Sequence, residues 1–334
     1  MLSRQAIIKQ IIPHLQPNKK IGKGCADVNI ALSKYWGKRQ VELNLPTNSS
    51  LSVSLPGLGT QTELSLVAGT EHQTWLNHQQ LDTHNPFSQR LADYLTPFCP
   101  AGLVFNIRTH NTVPTAAGLA SSASGYAALV LALNDLFDWQ LSDQHLSILA
   151  RIGSGSASRS IYNGFSIWHK GTAENGMDSY AEHIDQTWPA LCIGLVKVNI
   201  EQKPIGSTAG MQQTVKHCDL YQAWPNQAER QVQQIHQAIQ QRDFSQLGQL
   251  TEHNALSMHA TMLATWPPIL YWQAESIIAM QQVWQLRHQG IEVYFTMDAG
   301  PNLKLLFLED NKKAVETAFD GLEIIQPFKK STAT

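Results

Sequence analysis

Charge is scarce in this chain. Of 334 residues only 24 are Lys or Arg and 26 are Asp or Glu, which leaves a net charge of −2. A nucleic-acid binder needs a basic footprint to neutralise phosphates, so that class of partner is set aside. Cysteine is scarce too: Cys25, Cys99, Cys192 and Cys218 stand 26 residues or more apart. Such spacing excludes a zinc knuckle or a CxxC redox pair and points to reduced thiols in a cytoplasmic protein. No apolar run reaches the roughly 18 residues of a membrane span. Also missing are a GxxxxGK[ST] loop, a GxSxG elbow, a GxGxxG loop and an HExxH pair, which removes four common catalytic architectures. His253 and His259 stand six apart, a spacing that cannot share one helical face, so no zinc is expected.

What is present is a large apolar fraction, 43%, and a chain of this length buries about three-quarters of its unfolded surface without needing staples. At the N-terminus Ile7, Ile8, Ile11, Ile12 and Leu15 keep helical spacing. Lys9 and Gln10 interrupt them and no small-residue cleavage pattern follows, which speaks against a signal peptide. The segment reads as a helix packed on its own protein, with a membrane-surface helix as the alternative. Apolar alternation places strands at 26–33, 49–55, 62–67 and 103–108. The Ala- and Leu-rich run from Ser121 to Phe137 predicts a helix. A glutamine-rich stretch from Asn226 to Leu250 carries Val232, Ile235 and Ile239 as a helical stripe, and so predicts a surface helix. A further helix is expected over 269–288. Ile291, Val293 and Phe295 then alternate before Asp298-Ala299-Gly300-Pro301-Asn302 and the apolar run 303–308, a strand–turn–strand. The class is α+β in two halves, 1–195 and 196–334.

Four segments carry chemistry. Pro114 to Ser124 is a run of small residues leading into the best helix. Such a run lets backbone approach a ligand closely, and the free amides and dipole of the helix start favour an anion. Ser121, Ser122 and Ser124 add hydroxyls there; serine capping of an ordinary helix explains the same residues, and both readings stand. Lys34-Tyr35-Trp36-Gly37-Lys38-Arg39 interleaves cations with bulky aromatics, which suits a ligand wall better than a solvated loop, and Asn48-Ser49-Ser50 follows. Gly153 to Ser160 is either a flexible linker or a ligand loop; its single Arg159 offers a fork suited to a carboxylate or phosphate. Asp298 sits in a tight turn, where Asp is also common for local reasons.

Taken in order, these segments resemble the diphosphomevalonate decarboxylases of the GHMP kinase superfamily. The resemblance rests on Asn29 to Lys38, Leu45 to Ser52, Pro114 to Tyr126, Gly153 to Ser160, Asp178 to Ala181, Ser207 to Met211 and Asp298 to Asn302. It spans about residues 25 to 310. The glycine–serine loop alone would indicate only the superfamily; the KYWGK, SGSxxR and DAGPN segments together are specific to the decarboxylases.

The resemblance implies a two-domain GHMP kinase-like fold, the N-terminal domain like the second domain of ribosomal protein S5 and the C-terminal domain ferredoxin-like, with the site between them. It implies ATP and magnesium, a homodimer, and conversion of mevalonate 5-diphosphate to isopentenyl diphosphate with release of ADP, phosphate and carbon dioxide. Phosphomevalonate decarboxylases and small-molecule kinases of the same superfamily are the nearest alternatives. By matching position, Asp298 is the catalytic aspartate and Arg159 the arginine on the substrate carboxylate. Tyr35 and Lys38 lie near the substrate diphosphate and the transferring phosphate, with Lys34 in the same cluster. Ser154, Ser156, Ser207 and the backbone of Met211 are substrate-binding positions. Gly118, Leu119, Ala120, Ser121, Ser122, Ala123 and Ser124 form the ATP phosphate cradle, and Ser122 is the candidate magnesium contact. Ser158 stands where a cysteine is usual, Met177 where a serine is common, and Thr208-Ala209 is a variable pair. Residues 1–20 have no counterpart in the family pattern.

Overall fold

The computed structural model describes residues 3–113, 121–198 and 205–329. The chain opens with α1 (Arg4–Ile11), capped by the Ser3 hydroxyl, which accepts from the Ala6 amide. Ile7, Ile8 and Ile11 are buried in one cluster with Leu43, Leu45, Tyr94 and Phe98. The apolar face of this extension therefore covers the protein's own core, each isoleucine contributing about 1.5–3 kcal/mol relative to exposure. The packed reading of this segment holds, and the membrane-surface alternative loses its apolar face.

Next come β1 (Gly22–Ser33), β2 (Lys38–Gln40), β3 (Leu45–Pro46), β4 (Ser50–Ala68), β5 (Gln73–Leu76) and β6 (Gln79–Leu81). They are followed by α2 (Pro86–Leu95), β7 (Leu103–Asn111), α3 (Ser121–Phe137), α4 (Asp143–Gly153), β8 (Phe165–Trp168) and β9 (Ala181–Ile184). The helix expected from Ser121 to Phe137 has those bounds. The strands expected at 49–55 and 62–67 are one strand, β4. Pro56-Gly57 has turn composition, but Gly57 (φ +83°) bends the strand without ending it. Pairing with β1 skips there, from Asp27↔Gly59 to Val28↔Leu55, which is a bulge. The sheet order is β6-β5-β7-β4-β8-β9, with β1 also paired to β4.

The second half contains β10 (Leu191–Val196), α5 (Ser207–His217), α6 (Trp224–Gln241), α7 (Phe244–Leu263), α8 (Ala274–His288), β11 (Val293–Met297), β12 (Leu303–Leu308), α9 (Lys312–Ala318) and β13 (Glu323–Ile325). Its antiparallel sheet runs β11-β12-β10-β13. A division at residue 195 passes through β10, whose pairing with β12 and β13 places Leu191–Val196 with the second half.

The stretch 226–250 is two helices rather than one. Arg242 is left-handed (φ +53°) and closes α6, and the Asp243 carboxylate then accepts from the Gln246 amide to start α7. The first of the two, α6, is the surface helix expected: Arg230, Gln233, Gln234 and Gln237 are exposed, while Val232, Ile235 and Ile239 are fully buried. They pack in one cluster with Val28, Ile30, Leu51 and Val53 of the first sheet and Leu195 and Leu306 of the second. The glutamine-rich face of α6 is turned to solvent while its apolar stripe packs against residues of both sheets. The helix expected from Ile269 begins only at Ala274, where Gln273 and Ser276 form a capping box. Among the described residues no helix is long and apolar enough to cross a membrane.

Candidate active site

Where β1 ends, the chain turns into Lys34-Tyr35-Trp36-Gly37-Lys38, and each residue is placed by a different support. The Lys34 amide donates to Asn254 Oδ1 on α7 at 2.7 Å, and its carbonyl accepts from Asn48 Nδ2 at 2.8 Å. Trp36 is buried among Met211, Tyr221, Trp224 and Met258 of the second half. Its carbonyl accepts from Tyr221 Oη at 3.0 Å and Trp224 Nε1 at 2.9 Å. Gly37 sits at φ +112°, where a Cβ would lie 1.7 Å from Tyr221 Oη. Only glycine fits that approach. Lys38 follows, its ammonium donating to Asn44 Oδ1 at 2.6 Å. Asn44 in turn donates to the carbonyls of Arg151 and Ile152 at the end of α4. The aromatics between the cations thus join the two halves and fix where the cations point.

Lys34 is 2% exposed and its Nζ stands 2.9 Å from Asp298 Oδ1. Burial lowers its pKa to about 8, against the pull of Asp298 in the other direction. The turn Asp298 to Asn302 joins β11 to β12, with Met297 opposite Leu303. Lys304, one step into β12 and also 2% exposed, reaches Asp298 Oδ2 at 3.3 Å. From α7, His259 Nε2 approaches the Asp298 carbonyl at 3.1 Å. Burial drives that imidazole's pKa down to about 3, so it is neutral and donates. Asp298 is therefore held at backbone and side chain while a quarter of its side chain stays open.

Arg159 lies in the short helical turn Gly155–Ile161. It is 2% exposed, donates to Ser50 Oγ and reaches Asn29 Oδ1 at 3.3 Å. Asn29 is itself held by Ser160 Oγ and the Ser156 carbonyl. The guanidinium carbon stands 5.9 Å from the Trp168 ring centre. Its Nε is buried with no protein partner, as is the Tyr35 hydroxyl. Buried donors without partners are costly, and these two belong to residues that line one cavity. Burial lowers the arginine to about 10, which leaves it charged at neutral pH. Gly155 packs where a Cβ would meet Tyr35 and Trp168; the glycine–serine segment is a close-packed loop, not a linker.

These groups line one cavity of about 740 Å³ between the two halves. Lys34, Tyr35, Lys38, Ser122, Ser154, Ser156, Arg159, Ser207, Met211 and Asp298 all line it. The segment expected to cradle phosphates is described only in part. Gly118, Leu119 and Ala120 lie outside the described residues, as does the Ser121 side chain. Ser122 is exposed at the cavity. Ala123 and Ser124 are buried, and Ser124 Oγ bonds Thr60 Oγ1 of β4 at 2.8 Å. Both therefore turn away from the cleft, as helical periodicity dictates, and serve to seat α3 on the sheet.

Two comparisons bear on this architecture. Residues 26–181 match the diphosphomevalonate decarboxylase-like N-terminal domain and residues 193–331 match the mevalonate 5-diphosphate decarboxylase C-terminal domain. The chain belongs to the diphosphomevalonate decarboxylase family. It is 38% identical to diphosphomevalonate decarboxylase of Candida albicans over 307 residues, 87% of this chain and 85% of that one. The crystal structure of mevalonate diphosphate decarboxylase from Staphylococcus aureus superposes with a TM-score of 0.86 at 40% identity, covering 92% of this chain and 95% of that one. MDDEF in complex with MVAPP, AMPPCP and magnesium superposes at 0.85, also 40% identical, covering 92% and 97%. The fold is that of these family members, GHMP kinase-like.

Sequence reasoning missed several residues of the site. Lys304 carried a signal, a lone cation inside a strand of buried leucines. Asn29 carried one too, an amide in an apolar run. Arg90 on α2 lines the cavity but sits in a polar helix that gives no hint of it. His259 was set aside for its spacing to His253, yet its partner is a turn 39 residues away.

Proposed function

We infer that this protein catalyses the ATP-dependent decarboxylation of mevalonate 5-diphosphate, yielding isopentenyl diphosphate, ADP, phosphate and carbon dioxide. The observation that carries this reading is one cavity lined by both a buried guanidinium whose Nε has no protein partner and a carboxylate paired with the buried Lys34. A tertiary hydroxide leaves poorly, so it must first be phosphorylated. The substrate oxygen attacks the γ-phosphorus, the bond from that phosphorus to the β–γ bridging oxygen breaks and ADP leaves, and Asp298 is placed to orient the hydroxyl and take its proton. The carbon–oxygen bond then breaks as phosphate departs. Arg159 holds the carboxylate in two-point contact, and the electron pair of its carbon–carbon bond becomes the new double bond as carbon dioxide leaves. Lys34 and Lys38 set positive charge where phosphoryl and developing charges sit, the kind of preorganisation that supplies most of catalysis. Tyr35, Ser154, Ser156, Ser207 and the Met211 backbone position the substrate around these charges.

A second cavity of about 310 Å³ opens beside the first and shares Arg90, Ser122 and Tyr126 with it. It is lined by Thr62, Thr109 and Asn111 of β4 and β7 and by Val113. Its place beside the start of α3 supports a nucleoside pocket from which the phosphate chain of ATP passes Ser122, shared by both cavities, to the acceptor hydroxyl in the first. Among the described residues no group of three or more His, Cys, Asp or Glu could hold a metal. Ser122 and phosphate oxygens would then be the donors, a set that suits magnesium. Magnesium, when bound, neutralises and orients the transferring phosphates.

A homodimer is part of the same reading. Ile277, Ile278 and Trp284 stand exposed on α8, and light scattering on the purified chain reports whether a second copy covers them. A reducing, cytoplasmic setting is supported by the free state of Cys25, Cys99, Cys192 and Cys218.

Parallel incubations with ATP and either mevalonate 5-diphosphate or its monophosphate test the reaction. The diphosphate should release carbon dioxide and phosphate in equal amounts. Turnover with the monophosphate alone overturns the substrate, and a stable phosphorylated product without gas overturns the decarboxylation.

A further inference from the structure

β12 reads Leu303-Lys304-Leu305-Leu306-Phe307 and lies inside the four-stranded sheet, paired to β11 on one side and β10 on the other. All five residues are buried. Leu303, Leu305 and Phe307 face α8. Lys304 and Leu306 alternate to the opposite face, where Leu306 joins the core between the two sheets. An apolar side chain at 304 would serve that core at no electrostatic cost. Burying an ammonium there costs several kcal/mol unless a partner offsets it, so packing alone gives no reason for a lysine.

The partner is Asp298, six residues earlier across the turn. Lys304 Nζ stands 3.3 Å from Oδ2, the carboxylate oxygen that Lys34 does not hold. Thr296, opposite Lys304 on β11, reaches the Ala31 carbonyl at 3.4 Å, so this face of the sheet abuts the strand that delivers Lys34. One cation thus comes from each half of the chain, one to each oxygen. We propose that Lys304 is a positioning residue for the decarboxylation, holding the Asp298 carboxylate from the C-terminal sheet while Lys34 holds it from the N-terminal one.

The proposal rests on the functional reading given above and adds a residue that neither the motifs nor that mechanism requires. Its consequence is electrostatic. Among the described residues, the charged groups facing the Asp298 carboxylate are Lys34 beyond β1, Lys304 on β12 and Arg159 in the 155–161 turn. His259 on α7 faces the same residue from its backbone side and is neutral. Removing Lys304 takes one positive charge from both Asp298 and Lys34. Asp298 then takes up a proton at higher pH than before. Lys34, which the Lys304 charge pushes downward, loses its proton at higher pH as well. Both limbs of the pH–rate profile therefore move in the same direction.

The test uses the full chain carrying Lys304→Met, which matches the lysine in length, and Lys304→Gln, which keeps a hydrogen-bond donor without the charge. Retained circular dichroism and thermal midpoint establish folding. In both variants the kcat profile should shift upward on both limbs by about one pH unit, with kcat at neutral pH falling more than KM rises. Independently of turnover, carbon-13 resonances of labelled aspartate, with Asp298→Asn for assignment, should show the Asp298 carboxyl titrating at higher pH in both variants. A folded Lys304→Met enzyme whose rate profile and Asp298 titration match the parent overturns the proposal, even if its rate is lower. Failure of the parent to release carbon dioxide overturns the functional reading instead, and the carboxyl titration then still decides what Lys304 does to Asp298.

Discussion

Lys34 and Asp298 are separated by 264 residues and meet at 2.9 Å. One stands at the end of a strand in the first half and the other at the tip of a turn in the second, so the contact exists only when the two halves are docked. The site is thereby a product of the interface. Replacing Asp298 by Asn keeps the shape and removes the charge on which this docking converges. We expect transition-state stabilisation to fall by about 3 kcal/mol or more, as for loss of one preorganised group, read as carbon dioxide release per enzyme. Near-normal turnover would take Asp298 out of the mechanism.

Lys34 makes the rate depend on pH in a definite direction. Burial has brought its pKa down to about 8, so the ammonium is lost as pH rises through that value and the clamp on Oδ1 loosens. We expect kcat to decline on the alkaline side near pH 8. Lys34→Arg keeps the charge at any accessible pH and should move that limb upward by at least about one unit. A limb unmoved in an active Lys34→Arg enzyme would assign it to another group, such as Lys38, which burial also lowers. The stability sign is opposite. A lysine lowered in the folded state binds its proton more weakly than in the unfolded chain, so its burial penalty is full below about pH 8 and eases between there and 10.5.

The legible parts of this molecule were those where local chemistry and final structure agree. The helix at Ser121–Phe137 and the strand–turn–strand around Asp298 combine period, caps and turn residues in one direction. The cations and serines of the cavity were legible because short motifs carry them on single elements. Arg242 and Asp243 divide a continuous glutamine-rich stripe by a left-handed residue and a cap, which composition alone does not mark. Pro56-Gly57 has the composition of a turn and the geometry of a bulge. His259 and Lys304 meet Asp298 only once the turn is formed and α7 is packed against it, and Arg90 meets the cavity only through the fold.

Arg159→Lys separates capture from chemistry. The guanidinium is held by Ser50 and Asn29, its Nε has no protein partner, and an ammonium cannot reproduce both the anchoring and the fork. A lost charge-assisted hydrogen bond costs about 1.5–3 kcal/mol, so KM for mevalonate 5-diphosphate should rise by about tenfold to a hundredfold, measured at saturating ATP. Unchanged KM and kcat would exclude a substrate contact at Arg159.

Gly37→Ala tests whether the interface fixes the cations. At φ +112° an alanine is strained, and its Cβ would fall 1.7 Å from Tyr221 Oη, against an atom that holds both the Trp36 carbonyl and Thr47. Relief requires Tyr221 to withdraw or residues 36–38 to shift, and either breaks the seam between the halves. We expect stability to fall by at least about 1–3 kcal/mol from backbone strain alone, seen as a lower midpoint in urea. Because Lys38 follows directly, activity should fall further than that unfolding explains at temperatures where the variant is still folded. If Gly37→Ala lowered the midpoint but left kcat/KM intact in the folded protein, the placement of Lys38 would not depend on the Trp36–Tyr221 contact.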